Sequence, residues 1–502
     1  MNTEGNVNPA VQESTSHSSS HPSSQASSQA SGQASGQASG QTPGQHSSQP
    51  HGQPPSQPPA SLWRAFVIPG VLQGIGFYWL SRQIDDSFFT HGLLAITLAL
   101  IFIPIAHHLT TTREHGDASL IFSFAMGTLC AVLTFWSLTR FTGHLALRAD
   151  ITEISILAFA CSQVIFVITI PFFIALVNEQ KPLSDYSTLF KHAWSIQIIM
   201  IIAHLFILLV AVFLTAGSLL LNLVGIDLAA ILYQDVVLYP LIGGAFGAAF
   251  AIARGSETII HATQNILLIL LKFLLPFSAL ITGVFVFRVV VAGVDGVDPY
   301  LVGITSILLT SIFIAIVLIN ATVRDHENPV EGLTLFFVRC QSIILPLLAA
   351  CAIYGLWLRV NEYGLTHTRI LAMIVTAFAT LYSVSYAVAA FTQHSKLIFQ
   401  KVNTYGALLA VAVSILLMTP ALDVYQIAVS SQRSSLENQE VAPEKFDFEY
   451  LAQKSGQPGR SAILSLSKDI NVADYIELPD VITRALEDGD NQSNTGTGIQ
   501  KE

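Results

Sequence analysis

The chain has 502 residues, of which 52% are hydrophobic and only 11% charged, and its mean hydropathy is +0.56. A soluble domain carries about a quarter charged residues, so a soluble globular fold is excluded and a membrane protein is indicated. The formal charge of −10 belongs largely to the C-terminal tail, where thirteen acidic against seven basic residues follow from Arg433 onward, and nucleic acid is not an expected partner.

Residues Met1 to Ala60 repeat Ser-Gly-Gln-Ala units and end Pro/Gln-rich. No apolar periodicity exists there to build a core, so a disordered tail is expected. His17, His21, His46 and His51 read as solvated residues of that tail. No basic stretch followed by an apolar one marks a cleaved signal peptide.

From Leu62 the hydropathy changes abruptly, and about eleven stretches reach the roughly 17 to 25 apolar residues that cross a bilayer. They are Trp63 to Leu80, Phe89 to Leu109, Leu120 to Leu138, Ile154 to Val177, Ile196 to Val224 and Val237 to Ala253, then Gln264 to Val291, Leu301 to Thr322, Leu333 to Leu358, Arg369 to Phe391 and Val402 to Thr419. Sustained apolar/polar alternation is absent, so the fold class is all-α: a polytopic transmembrane helical bundle between a disordered N-terminal tail and a short polar C-terminal segment. The domain divisions expected are 1–60, 61–420 and 421–502. Nine Lys and Arg near span ends on the N-terminal side, against seven on the other, place the N-terminus in the cytoplasm.

Two connections are richer than loops. Leu183 to Trp194 brings Leu183, Tyr186, Leu189, Phe190 and Trp194 to one helical face and predicts an amphipathic interfacial segment. Ile226 to Tyr239 reads either as a surface helix or as a half-span. After Pro420, short amphipathic patterns at Phe446 to Leu451 and Tyr475 to Leu486 predict an ordered segment packed on the membrane domain, with disorder from about Asp488.

Lys272 is the sharpest chemical candidate. It lies deep in an apolar run with Pro276 one turn later, and an ammonium at that depth costs roughly 2.5 to 3.5 kcal/mol. The expectation is that it faces the bundle interior with a polar partner, binding an anion or relaying protons; the alternative is that it snorkels to the interface. His204, mid-span, is the second ionisable candidate and a potential relay partner. His107 and His108 end the second span, but no spacing supplies the further ligands a metal would need. Gly243, Gly244 and Gly247 give small-x-x-x-small spacing for close helix approach. Pro104, Pro171, Pro276 and Pro346 fall inside the second, fourth, seventh and ninth spans, an offset of five that inverted repeats with broken helices would produce. Cys130, Cys161, Cys340 and Cys351 lie in apolar segments without C-x-x-C spacing and read as packing residues. Motifs of metalloproteases, serine hydrolases and P-loop proteins are absent, so no metal, cofactor or catalytic residue is assigned.

Several stretches resemble the bacterial membrane family known as domain of unknown function 4153. They are LLKFLLPFSAL (Leu270 to Leu280), LINAT (Leu318 to Thr322), LWLRVNEYGLTHTRI (Leu356 to Ile370) and KVNTYGALLAVAVSILLMTPALDVYQIAVSSQ (Lys401 to Gln432), with FDFEYLAQKSGQPGR (Phe446 to Arg460) similar to that family's C-terminal end. The resemblance implies a multi-pass protein of the bacterial inner membrane and brings no activity with it. It directs attention to Lys272, Asn320, Arg359, Asp423 and the loop residues Tyr363, Gly364 and Thr366. In that loop Gly364 permits a turn and Thr366 is placed to cap the helix that follows.

The functional expectation is transport of a small solute or ion through a pathway involving Lys272, His204 and Asn320. The alternative is a non-catalytic membrane scaffold or cell-envelope assembly factor that meets a membrane or periplasmic protein through its C-terminal segment. A polar cavity between spans favours the first; a fully packed core favours the second.

Overall fold

The computed structural model describes residues 60–82, 88–111, 115–141, 148–293, 304–323, 330–392, 395–443 and 446–466. The Ser/Gln-rich tail, the pattern at Tyr475 to Leu486 and the end beyond Asp488 lie outside the described residues.

Fifteen α-helices and no strand occur among the described residues. In order they are α1 (Ala60–Arg82), α2 (Phe88–Thr110), α3 (Gly116–Phe141), α4 (Arg148–Phe173), α5 (Tyr186–Asn222), α6 (Ala229–Leu232), α7 (Asp235–Arg254), α8 (Glu257–Ala292), α9 (Ile304–Val323), α10 (Gly332–Tyr363), α11 (His367–Ala390), α12 (Ser395–Leu417), α13 (Val424–Glu437), α14 (Phe448–Gln453) and α15 (Gly456–Leu466). Ten of them, α2 to α5 and α7 to α12, are long and apolar enough to cross a membrane, and α1 carries the shorter apolar stretch Phe66–Trp79. This is a multi-pass membrane protein. Its outer faces fit that role, because Phe213, Leu219, Ile281 and Phe287 are exposed on α5 and α8, where water would penalise them and lipid would not.

Helix length has a geometric consequence. α5 and α8 contain 37 and 36 residues, which at about 1.5 Å per residue exceeds a hydrocarbon core of about 30 Å. Both must tilt or project beyond it. The amphipathic stretch from Leu183 is thereby reassigned. Its residues from Tyr186 onward are the first turns of α5 itself rather than a separate segment. Between Ile226 and Tyr239 the chain makes only the single turn α6 before α7 begins, so that stretch is a connection and not a half-span.

Two hydrophobic cores form. The first gathers Phe102, Cys130, Ile165, Ile170, Ile198 and Phe250 from α2, α3, α4, α5 and α7. The second gathers Leu275, Ile312, Leu345, Ala352, Tyr386 and Phe399 from α8 to α12. α1 joins the first through an unusually close approach to α7. A Cβ at Gly70 would strike the Gly243 carbonyl, one at Gly243 the Gly70 carbonyl, one at Gly74 the Tyr239 carbonyl and one at Gly247 the Phe66 carbonyl. Glycine is therefore required on both helices, and the small-x-x-x-small spacing of α7 has its counterpart in Gly70 and Gly74.

Beyond α12 the chain turns through Pro420–Leu422 and starts α13, which Asp423 caps by accepting from the Tyr425 and Gln426 amides at 3.1 and 3.0 Å. α13 buries Val424, Tyr425 and Ala428 against Leu138, Ile154 and Ile370 of the bundle. Its other side joins α14 and α15 around Val429, Leu451 and Ile463.

Candidate functional site

Where the two cores meet, four side chains from four helices form one hydrogen-bonded cluster. Asn320 stands near the end of α9, Tyr386 near the end of α11, Asn403 about two turns into α12 and Tyr186 at the start of α5. Asn403 Nδ2 donates to Asn320 Oδ1 at 2.8 Å and to the Tyr186 hydroxyl at 3.0 Å. The Tyr386 hydroxyl lies 2.8 Å from Asn320 Oδ1 and 2.7 Å from Asn403 Oδ1, sharing its one proton between them. Asn320 Nδ2 completes the ring toward Asn403 Oδ1 at 3.4 Å. No member carries a charge. An amide left unpaired in hydrocarbon is costly, and mutual pairing is how four polar groups are tolerated here.

Packing holds the cluster in place. Tyr386 is fully buried, its ring edge-on to Phe399 at 4.6 Å. Tyr382, one turn earlier on α11, presses its hydroxyl against Gly406 of α12, where any side chain would collide. A larger residue there would have to displace the Tyr382 side chain.

Beside the cluster opens a pocket of about 290 Å³, lined by Pro171, Tyr186, Phe190, Trp194, Asn320 and Asn403 among others. Its aromatic wall is built by α5, where Tyr186, Phe190 and Trp194 follow at four-residue intervals with ring centroids 5.8 and 5.9 Å apart. Of the five residues expected on one face, Tyr186, Leu189, Phe190 and Trp194 line this pocket, whereas Leu183 is exposed ahead of the helix. The opposite wall is α4 at Pro171, after which the helix widens into a π-helical turn, Ile174–Asn178. Pro cannot donate to the preceding turn, and wide turns of this kind are frequent at functional sites. Asn178 then reaches back to the Thr110 carbonyl at 2.6 Å, tying the end of α2 to the turn.

The other predicted residues sit elsewhere. Lys272 is exposed on α8, beside rather than within the buried stripe of Leu268, Leu275, Ala279 and Val286. The expectation that it faces the interior is corrected: Lys272 falls outside the buried face of α8, where an ammonium avoids the cost of burial. His204 is also exposed, with Nδ1 2.7 Å from the Met200 carbonyl of its own helix and its ring edge-on to Phe246. The structure brings neither to Asn320. At the second span's end, His107 is within 3.1 Å of Thr111 Oγ1 and the His108 ring lies tilted against Phe66 at 3.9 Å. Among the described residues no three His, Cys, Asp or Glu gather as metal ligands would.

The loop residues fix a helix junction at the opposite end of the bundle. Gly364, at φ +72°, ends α10 in a conformation that other residues resist. Thr366 caps α11 by accepting from the Arg369 amide at 3.4 Å. The Arg369 guanidinium donates to the Tyr363 carbonyl at 2.8 Å and to the Gly364 carbonyl, satisfying the orphaned end of α10. The C-terminal helices hold the junction from outside. His367 is stacked between Tyr425, at 4.4 Å, and Tyr450, at 6.0 Å, with its amide donating to the Tyr450 hydroxyl at 2.9 Å and its Nε2 3.6 Å from Glu153. Gln432 adds a bond to the Leu365 carbonyl at 3.0 Å. Burial raises both the Tyr425 and Tyr450 hydroxyls above the usual phenol range.

Residues 90–466 match the family described as Domain of unknown function (DUF4153). The chain belongs to the DUF4153 family. Comparison with curated proteins and with solved structures gave no match. The DUF4153 region takes in all four members of the Asn/Tyr cluster, the α10–α11 junction and the three C-terminal helices, and it begins after α1.

Asn403, Tyr386 and Tyr186 went unrecognised in the sequence because 217 residues separate the outermost two. One signal was available. Asn320 and Asn403 are both amides inside apolar spans, and each needs a partner there.

Proposed function

We propose that this protein handles a small, uncharged solute at the Asn320–Asn403 pocket, as a transport-type protein of the bacterial inner membrane with its N-terminus in the cytoplasm. The observation that carries the reading is the placement of an uncharged hydrogen-bonding cluster at the seam between two helical cores, open to an aromatic-walled pocket. Solute sites of transporters favour such seams and the interrupted helices beside them. Amides and phenols recognise hydroxyl, amide or carbonyl groups, and a site without a formal charge does not select an ion. Lys272 has no part in this reading, because its exposed position removes the support it gave to an anion pathway.

The test is solute distribution in cells. Metabolites inside and outside cells carrying wild-type protein are compared with those for Asn403→Leu and for Ala407→Trp, which crowds the pocket without touching the hydrogen bonds, at matched membrane abundance. The expected result is one uncharged solute redistributed alike by both variants. Unchanged distributions with either variant at normal abundance would oppose the reading.

A second reading, an assembly scaffold, is favoured by the folded C-terminal helices around Leu451 and Ile463, which present a structured surface on one side of the bundle. A membrane or periplasmic partner protein would meet it there.

A further inference from the structure

The hydrogen bonds of the Asn/Tyr cluster leave a surplus of one kind beside the pocket. Asn403 spends both N–H groups of its amide, on Asn320 Oδ1 at 2.8 Å and on the Tyr186 hydroxyl at 3.0 Å. Tyr386 spends its one proton between the two asparagine oxygens, and Asn320 spends one N–H on Asn403 Oδ1. Each asparagine oxygen thus meets two donors, which fills its two lone pairs. Two donors are left over. The Tyr186 hydroxyl accepts from Asn403 but has no acceptor for its own proton among the described residues, and neither has the second N–H of Asn320.

Both leftover donors belong to residues of the pocket wall. Trp194, at the far end of the aromatic wall, adds an indole N–H that likewise meets no acceptor among the described residues. Thr404, the other hydroxyl of the wall, already donates to the Gln400 carbonyl at 3.0 Å. The spare polar hydrogens of the pocket are therefore unmatched, while its amide oxygens are full. An N–H or O–H without an acceptor in apolar surroundings is tolerated less well than an unfilled lone pair, so the donors decide what fits.

We infer that the solute bound here, on the reading that the pocket is a solute site, is an uncharged ring compound carrying a carbonyl oxygen, with that oxygen on the Tyr186 hydroxyl and the Asn320 amide. One carbonyl oxygen has two lone pairs and takes both donors. A sugar or other polyol suits the site poorly, because each hydroxyl brings a proton of its own and the wall has no carboxylate or spare amide oxygen to receive it. The rest of the wall sets the body of the solute. Tyr186, Phe190 and Trp194 extend about 12 Å along α5, with Val167, Pro171 and Phe172 of α4 across the pocket, so a flat apolar ring is covered on both faces.

The full chain in detergent is titrated calorimetrically with three probes of one skeleton, 2-acetylnaphthalene, 1-(2-naphthyl)ethanol and 2-ethylnaphthalene, with the Ala407→Trp protein as the blank for uptake by detergent. The ketone is expected to bind wild type at least about ten-fold more tightly than the hydrocarbon, as two hydrogen bonds allow, and more tightly than the alcohol. Tyr186→Phe, which keeps the ring and loses the proton, is expected to weaken the ketone about five-fold and leave the hydrocarbon unchanged. In the infrared, the carbonyl stretch of the bound ketone is expected at lower wavenumber in wild type than in Tyr186→Phe. Ketone and hydrocarbon binding alike, or an alcohol bound more tightly than the ketone, would overturn the carbonyl assignment and leave the pocket a solute site. No probe bound above the blank would overturn the assignment too, and the cellular metabolite comparison then decides separately whether the pocket holds a solute of another kind.

Discussion

Asn403 of α12 and Asn320 of α9, 83 residues apart in the chain, hold each other amide to amide at 2.8 Å inside the helical bundle. Asn403 also reaches Tyr186 of α5, whose Ile196 and Ile198 lie in the first core, while α12 itself touches both, with Phe399 in the second core and Val411 and Ile415 against the first. The contact therefore ties the two cores together through neutral groups. Polar side chains that pair within the membrane domain contribute about 0.6 to 2 kcal/mol each, so the cluster both stabilises the seam and leaves polar atoms at the edge of a pocket.

Tyr386→Phe removes the one hydroxyl that serves both asparagine oxygens while keeping the ring that packs on Phe399. Each oxygen keeps its amide donor from the other asparagine, so the loss is that of the hydroxyl's hydrogen bonds, about 0.5 to 1.5 kcal/mol. Thermal melting in detergent should fall accordingly. A melting temperature equal to wild type would show that the hydroxyl contributes nothing to the seam.

The α1–α7 contact tolerates no side chain at Gly70 or Gly243. Gly243→Val should force the helices apart, with overpacking costs of about 1 to 3 kcal/mol or more, read as reduced membrane abundance and earlier melting. Gly217 of α5 meets nothing within 4 Å of a Cβ, so Gly217→Ala should be neutral or stabilise by up to about 1 kcal/mol.

The C-terminal helices should come loose in alkali. Tyr425 and Tyr450 both have folded pKa values raised by burial above the unfolded phenol value. A raised pKa means the neutral form is favoured by folding, so this stability is whole below about pH 10 and is lost as pH rises above it. Limited proteolysis after α12, followed across pH 8 to 12, should accelerate above about pH 10; Tyr450→Phe, which cannot ionise, should blunt the rise. An unchanged cleavage rate across that range would contradict the buried position of the two phenols.

Lys272→Leu should leave protein level and any cellular phenotype intact, since the side chain is exposed on the outer face of α8. Insertion should if anything improve, because a charge within a span costs roughly 2.5 to 3.5 kcal/mol on insertion scales. Lost phenotype at normal protein level would restore Lys272 as a functional residue.

Which parts of this were legible in the sequence follows from what periodicity encodes. Span-length apolar runs announced α2 to α5 and α7 to α12, because a bilayer demands about 20 apolar residues whatever the tertiary fold. Gly243 and Gly247 announced a close helix contact; that their partners are Gly70 and Gly74 is tertiary information, though the same four-residue spacing stood in α1. Thr366 and Gly364 were readable as cap and turn since both roles are local. Lys272 misled because a charge in an apolar run says nothing of which face it takes, and it stands just outside the buried stripe of α8. The Asn/Tyr cluster was half visible through Asn320; its other members come from α5, α11 and α12 and meet only in the fold.

The most direct measurement is ligand-dependent melting of the purified full chain, screened against small uncharged metabolites, for wild type, Asn403→Leu and Ala407→Trp. A binding pocket at the Asn320–Asn403 seam predicts a solute that raises the wild-type melting temperature and leaves both variants unmoved. A solute that stabilises wild type and Ala407→Trp equally would contradict it.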